Sequence, residues 1–254
     1  MKRKILETLI ERKKTGRKSF VVLIDPDKIE DVTACARIIN LSLENKVDFF
    51  FVGGSLITGN NFSQIIHFIK QSCSIPVILF PGSNMHVEGN ADAILFLSLI
   101  SGRNPELLIG QHVVAAPVIR RSKLEVLPTG YILINSGNHT TVSYMSNTTP
   151  IPGDKPSVTA CTAMAGEMLG LQLIYLDAGS GAQVPVSHKT ISVVRKAVDV
   201  PLIVGGGINN RHKAAQAMEA GADVIVVGNG IEQNPELLTE IAELMYDYNN
   251  NLHV

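Results

Sequence analysis

Long apolar runs are missing from this chain. Although 45% of its residues are hydrophobic, no stretch approaches the ~20 consecutive apolar residues that cross a bilayer as a helix, so no membrane span is expected. An excess of one charge is missing as well. Twenty-two Lys and Arg stand against 23 Asp and Glu, a formal net charge of −1, and no global basic field points to nucleic acid. Cysteine is scarce: Cys35, Cys73 and Cys161 are odd in number, far apart and without CxxC spacing. That argues against a disulfide framework or a zinc site and for small buried residues in a reducing compartment. The seven histidines are scattered, so no cluster offers a soft-metal site. The opening segment, MKRKILETLIERKKTGRKSF, is basic and helical in pattern and lacks the apolar centre of a signal peptide. The expected location is cytoplasmic, with contact at a membrane surface left open. No composition shift or linker divides the chain, and one domain over 1–254 is expected.

What is present is an alternation of strands and helices. The 254 residues match the usual length of one (β/α)8 barrel. Strands are expected at Phe20–Ile24, Asp48–Val52, Pro76–Phe80, Ala93–Ser98, Gly130–Asn135, Leu173–Asp177, Leu202–Val204 and Val224–Val227. Helices are expected at Lys4–Lys13, Ile29–Asn45, Asn61–Gln71, Asn104–Ala115, Pro156–Leu169, Ser187–Ala197, Asn210–Ala220 and Pro235–Tyr246. Asp27 with Glu30 reads as a cap for the second helix, Val118–Val126 as extended, and Tyr248–Val254 as a frayed tail. The cadence breaks at Pro81–Asp92, PGSNMHVEGNAD, which is glycine-bearing and aperiodic. The helix after strand three is therefore missing or replaced, which should leave an opening in the barrel wall. The polar stretch Ser136–Asp154 is too long for an idle connection and is a candidate lid. A doubly wound open sheet is the alternative architecture.

The chain is organised around Pro201–Gly230, PLIVGGGINNRHKAAQAMEAGADVIVVGNG, where two apolar runs each stop at glycine. Gly205, Gly206 and Gly207 after one strand, and Gly228 with Asn229 after the next, allow backbone N–H groups to approach an anion. Paired turns of this kind form the phosphate grip commonly built after strands seven and eight of a barrel; alternatively the glycines only permit tight turns. A third glycine-rich turn runs Tyr175, Leu176, Asp177, Ala178, Gly179, Ser180, Gly181. There Asp177 could deprotonate a hydroxyl, Tyr175 orient it, and Ser180 with the glycine amides hold phosphate; or Asp177 simply caps a turn. Asp25 at the end of the first strand suits a hard cation such as Mg²⁺, held by one or two carboxylates with water and substrate phosphate, or is a turn residue before Pro26. Ser55 stands at the matching place after strand two. Lys28 faces either a diphosphate or solvent, solvent being the simpler reading. His139 in the long loop fits a surface role.

The set LIDPDK (Leu23–Lys28), VGGS (Val52–Ser55), PVILFPGS (Pro76–Ser83), YLDAGSGA (Tyr175–Ala182), VGGGI (Val204–Ile208) and VVGN (Val226–Asn229) resembles the geranylgeranylglyceryl phosphate synthase family, whose bacterial cousins are the PcrB-type heptaprenylglyceryl phosphate synthases. The likeness runs in order over most of the chain. It implies a TIM barrel modified at its third helix and the transfer of a prenyl group from a prenyl diphosphate to the 3-hydroxyl of sn-glycerol 1-phosphate, with Mg²⁺. Carried over by motif, Asp25 and Ser55 would hold Mg²⁺ and diphosphate. Residues 175–181, Gly206, Gly207, Gly228 and Asn229 would hold glycerol phosphate. Two departures stand out: Asp177 replaces the usual Glu, one methylene shorter, and Leu23 replaces the Lys of PcrB-type members, which places the chain nearer the archaeal-like branch. An apolar groove for the prenyl tail is expected around strands two to four, and an exposed apolar wall predicts a homo-oligomer. The rival readings are another phosphate-binding barrel enzyme, as in tryptophan, histidine or thiamine biosynthesis, and a non-catalytic barrel that binds a phosphorylated metabolite.

Overall fold

Eight parallel strands close on themselves in chain order. They are β1 (Ser19–Ile24), β2 (Phe49–Gly54), β3 (Val77–Pro81), β4 (Ala93–Leu99), β5 (Glu125–Leu133), β6 (Leu173–Asp177), β7 (Leu202–Gly205) and β8 (Val224–Val227). The computed structural model describes residues 4–251. Each strand is short, rich in aliphatic residues and largely buried, as parallel strands covered by crossover helices are. Val21 and Val22 pair with Val226 and Val227 and so close the barrel. That pairing rules out the open doubly wound sheet.

The pleat divides the core in two. Phe51, Ile78, Leu95, Leu127 and Tyr175 point inward and fill the barrel, whereas Phe50, Val52, Leu79, Ile132 and Leu176 point outward beneath the helices. Helix α1 (Lys4–Lys14) adds Ile5, Leu6 and Leu9 to the inner cluster and so closes the N-terminal end. Glu125 anchors it by accepting the N–H of Ile5 at 2.9 Å and of Leu6 at 2.8 Å, two of the donors that a helix start leaves unpaired. The interior therefore opens at the C-terminal ends of the strands.

The outer ring comprises α2 (Val32–Glu44), α3 (Phe62–Ser72), α4 (Gln111–Ser122), α6 (Pro156–Met168), α7 (His188–Ala197), α8 (Arg211–Glu219) and α10 (Glu236–Asn250), while the short α5 (Thr141–Ser146) and α9 (Asn229–Gln233) follow β5 and β8. Between β3 and β4 residues 82–92 form turns and irregular chain without a helix, as the composition of that stretch predicts. Asp92 ties the return down, accepting from Lys70 Nζ at 2.7 Å and from the N–H of Val77 at 2.8 Å.

Three elements differ from the sequence expectation. Helix α2 starts at Val32, capped by Asp31, which accepts the N–H of Ala34 at 2.7 Å. Asp27 instead accepts from the N–H groups of Thr58 at 2.7 Å and Gly59 at 2.9 Å, fastening the loop after β2. Helix α4 runs through Pro117 to Ser122 behind a wide π turn over Glu106–Gly110, and β5 begins at Glu125, not Gly130. Proline argues for a break, but His112, Ala115 and Ile119 are buried at helical spacing on both sides of it, and packing of that face decides. Helix α10 continues to Asn250, so Tyr248 is helical, and its ring receives the Lys18 ammonium at 5.6 Å. Residues 252–254 of the expected tail lie outside the described residues.

Candidate active site

A cavity of about 320 Å³ occupies the C-terminal mouth of the barrel. Most of the residues singled out from sequence meet there: Asp25 after β1, Ser55 after β2, Tyr175 and Asp177 on β6, Ser180 and Gly181 beyond it, Gly206 and Gly207 after β7, and Gly228 and Asn229 after β8. Three of the expected set do not line it. Leu176 alternates with its neighbours and packs in the outer layer. Ala178 is buried in the same layer, and Gly179 sits beneath Thr140, whose methyl would lie 2.6 Å from a Cβ there. His139 is exposed and outside the cavity.

Asp177 sits deep in this site. Its Oδ1 accepts the N–H of Gly179 at 2.8 Å and its Oδ2 accepts the phenol proton of Tyr131. Burial raises its pKa, and these two hydrogen bonds pull it partly back. Gly206 backs directly on the carboxylate: its φ is +77°, and a Cβ would lie 2.5 Å from Oδ1. Any side chain at that position would displace the carboxylate, so the glycine is required by both conformation and space. Tyr175 contributes its ring, stacked on Phe80 at 5.5 Å and edge-on to Tyr131 at 5.4 Å. Burial, and then the neighbouring Asp177 charge, push the pKa of both phenols well up.

At the opposite edge Lys28 links the loops. Its Nζ donates to Asn229 Oδ1 and lies 3.1 Å from Glu232 and 3.6 Å from Asp25. Asn229 Nδ2 in turn donates to Ser180 Oγ at 3.3 Å, so the turns after β1, β6 and β8 form one hydrogen-bonded rim. Lys28 is exposed, as expected, and the 3₁₀ turn over Pro26–Lys28 also places it at the rim of the mouth. Burial raises the pKa of Glu232, and Lys28 draws it back down.

Among the described residues Lys28 is the sole cation lining the cavity, against the carboxylates Asp25, Asp177 and Glu232. A diphosphate set beside Asp25 and Glu232 calls for added positive charge beyond the backbone N–H groups of the glycine turns. Asp25 and Ser55 supply hard oxygen donors at the ends of adjacent strands, and the Asp25 carboxylate packs 3.7 Å from where a Cβ on Gly54 would lie. No group of three or more His, Cys, Asp or Glu forms a metal cage among the described residues. The donor set fits Mg²⁺, which keeps water and substrate phosphate in its shell, and does not fit a softer ion.

Sequence reasoning missed Tyr131, Glu232 and Phe80. Tyr131 pairs with Tyr175 across β5 and β6, and that register alone turns its ring inward. Phe80 stood at the end of the third strand, within the PVILFPGS stretch, and drew no separate notice. Glu232 carries no local signal, because its role comes from a lysine 204 residues earlier in the sequence.

The segment after β5 covers one side of the mouth. Helix α5 is capped reciprocally by Thr140 and Ser143, and Thr141 lines the cavity. Its base is closed by Ile151, which donates to Leu133 O at 2.9 Å and accepts from the N–H of Asn135 at 2.8 Å.

Comparison with known proteins agrees with this geometry. Residues 10–245 match the model of the PcrB family. A geranylgeranylglyceryl phosphate synthase of Spirosoma linguale is 57% identical over 96% of this chain and 98% of its own length. One of Thermococcus gammatolerans is 43% identical over 90% of each. The crystal structure of (S)-3-O-geranylgeranylglyceryl phosphate synthase from Thermoplasma acidophilum, in complex with sn-glycerol-1-phosphate, superposes with a TM-score of 0.89 at 33% identity, covering 96% of this chain and 98% of that one. A thiamine phosphate pyrophosphorylase from Pyrococcus furiosus, at 13% identity and a TM-score of 0.56, shares the fold alone. The chain belongs to the PcrB family, among its geranylgeranylglyceryl phosphate synthases.

Proposed function

We propose that this protein joins the 3-hydroxyl of sn-glycerol 1-phosphate to a prenyl group by an ether bond, taking the prenyl group from its diphosphate, geranylgeranyl diphosphate in the first instance, as a step of ether phospholipid synthesis. One observation carries the reading beyond family membership. A single cavity joins a glycine-turn phosphate grip, a buried carboxylate without a cation partner, and an Asp–Ser corner suited to Mg²⁺. The substrate hydroxyl oxygen attacks the allylic carbon, the carbon–oxygen bond to diphosphate breaks with its electron pair on the leaving group, and the hydroxyl proton passes to Asp177. When bound, Mg²⁺ held by Asp25 and Ser55 would supply charge neutralisation for the departing diphosphate. The turns after β6, β7 and β8 fix the glycerol phosphate, and the rim through Lys28 brings the two anions side by side.

The remaining parts of the reading follow from exposed surface. The prenyl tail leaves the cavity past Leu56 and Phe80 and runs over the wall that lacks a helix, where Met85 is exposed. The exposed apolar residues Ile109 of the π turn and Val113, Val114 and Val118 of α4 are covered by a second copy in a homo-oligomer. The segment carrying α5 acts as the lid that excludes water. No helix among the described residues is long and apolar enough to cross a membrane; a cytoplasmic enzyme over the whole of 1–254 that hands its amphiphilic product to a bilayer surface fits this reading.

Purified protein given labelled glycerol 1-phosphate, Mg²⁺ and prenyl diphosphates from farnesyl upward should move label into organic solvent, with glycerol 3-phosphate inert. Asp25→Asn should remove Mg²⁺-dependent turnover while glycerol phosphate still binds. Binding of glycerol phosphate without transfer from any donor would sink the assignment and return the site to another phosphate-binding barrel activity.

A further inference from the structure

We propose that Tyr131 is a catalytic residue of this site: its phenol oxygen takes the proton of the substrate hydroxyl while its own proton passes to Asp177. The proposal rests on the prenyl-transfer reading and concerns the route of the proton within it.

A phenol carries one proton and can accept through its lone pairs. The proton of Tyr131 is committed to Asp177 Oδ2, so toward the cavity, which Tyr131 lines, its oxygen is an acceptor only. A hydroxyl placed there must donate to it. Asp177 is enclosed on its other side: Oδ1 takes the Gly179 N–H at 2.8 Å, and Gly206 backs on the same oxygen. The ring of Tyr131 is held in place between Phe80, edge-on at 6.0 Å, and Tyr175 at 5.4 Å. Both groups border the cavity, but the carboxylate is only 6% exposed and already takes the phenol proton and the Gly179 N–H, so the phenol oxygen is the acceptor left for a substrate hydroxyl.

The electron count closes without a high-energy phenolate. As the substrate oxygen bonds to the allylic carbon, its O–H bond breaks and an O–H bond forms on Tyr131. The original Tyr131 O–H bond breaks and one forms on Asp177. The result is a neutral tyrosine, a neutral aspartic acid, the ether, and diphosphate carrying the electron pair of its broken bond. Concerted transfer avoids ionising a phenol whose burial disfavours its charged form, and it delivers the proton to a carboxylate whose burial favours protonation.

The experiment begins with wild-type turnover; an enzyme that makes no ether overturns the reading of function before any variant is judged. In an active enzyme, Tyr131→Phe should lower kcat by about 100-fold, within the usual range for a lost general acid–base group, with KM for glycerol 1-phosphate nearly unchanged. Adding Asp177→Glu to that variant should recover activity by about 10-fold or more, because the carboxylate, one methylene longer, reaches the vacated position and takes the proton directly. A Tyr131→Phe enzyme within about 3-fold of wild type, or a double variant no better than the single, overturns the relay, since a purely structural hydroxyl would not be replaced by a longer carboxylate. Should Tyr131→Phe fail to fold, the wild-type crystal structure with glycerol 1-phosphate decides. The 3-hydroxyl against Tyr131 Oη supports the relay, and the hydroxyl directly on Asp177 with Tyr131 turned away overturns it.

Discussion

In the proposed function Lys28 and Glu232 have opposite effects on the same anions. The ammonium is paired with two carboxylates, at 3.1 Å and 3.6 Å, with which a phosphate bound there would compete. Lys28→Met should raise KM for the anionic substrates about 10- to 100-fold, hydrogen bonds to charged groups being worth about 1.5–3 kcal/mol. Glu232→Gln should act in the opposite direction and lower KM by no more than about fivefold, because partly exposed pairs are worth at most about 1 kcal/mol; initial-rate kinetics on both variants read the two signs. Asp177 couples chemistry to stability. Its folded pKa is raised above the ordinary 3.8 chiefly by burial, so as pH rises through the window between 3.8 and the raised value the unfolded state loses its proton first. The folded state is destabilised through that window and remains so above it. Asp177→Asn should therefore abolish turnover and melt higher than wild type at neutral pH, with the advantage vanishing below that window. Thermal scans across pH would show it, and equal melting temperatures at neutral pH would count against a buried, cation-free carboxylate. Tyr175, Asp177, Ser180 and the glycines were legible from sequence because each sits in a turn whose composition is itself unusual. Tyr131 was not, since an inward-facing aromatic in a strand reads as core until register pairs it with Tyr175.

Among the elements, α1 and α4 show where local pattern suffices and where it does not. The amphipathic pattern of α1 was readable, but its place as a plug depends on Glu125 at the start of a strand more than a hundred residues later. Glu125→Ala would leave two helix-start N–H groups buried and unpaired, a loss of about 3 kcal/mol. The melting temperature should then fall by about 10 °C in a chain of this size, with the cavity and its turnover at low temperature retained. Scanning calorimetry with a parallel assay separates this from damage to the site. In α4 the sequence put a helix end at Ala115 and extended chain from Val118, whereas the helix runs through Pro117 with three side chains buried on one face. Burial of that face is worth at least as much as the ~3 kcal/mol that a proline inside a helix costs. The connection between β3 and β4 is the converse: no helical periodicity was present, and no helix formed.

At the scale of the whole molecule the exposed face of α4 and the unhelixed wall remain. Ile109, Val113, Val114 and Val118 are all exposed within ten residues of one another, and grouped exposed apolar residues are what an interface buries. Val113→Glu with Val114→Glu should convert the assembly to monomers in light scattering after size exclusion; a wild-type protein that is already monomeric would remove the homo-oligomer from the reading. The sequence by itself determined the strand–helix alternation that favours the barrel, the missing helix after strand three and most of the cavity rim. Those depend on strand–helix alternation and glycine turns, whose physics is local and whose order along the chain is their order around the barrel. Only the tertiary structure decided that Lys28 reaches Asn229 and Glu232, that the Tyr131 hydroxyl hydrogen-bonds to Asp177, and that Leu176 turns away. Each of these depends on strand register and barrel closure, which bring together residues dozens to hundreds of positions apart, and no local pattern encodes that distance.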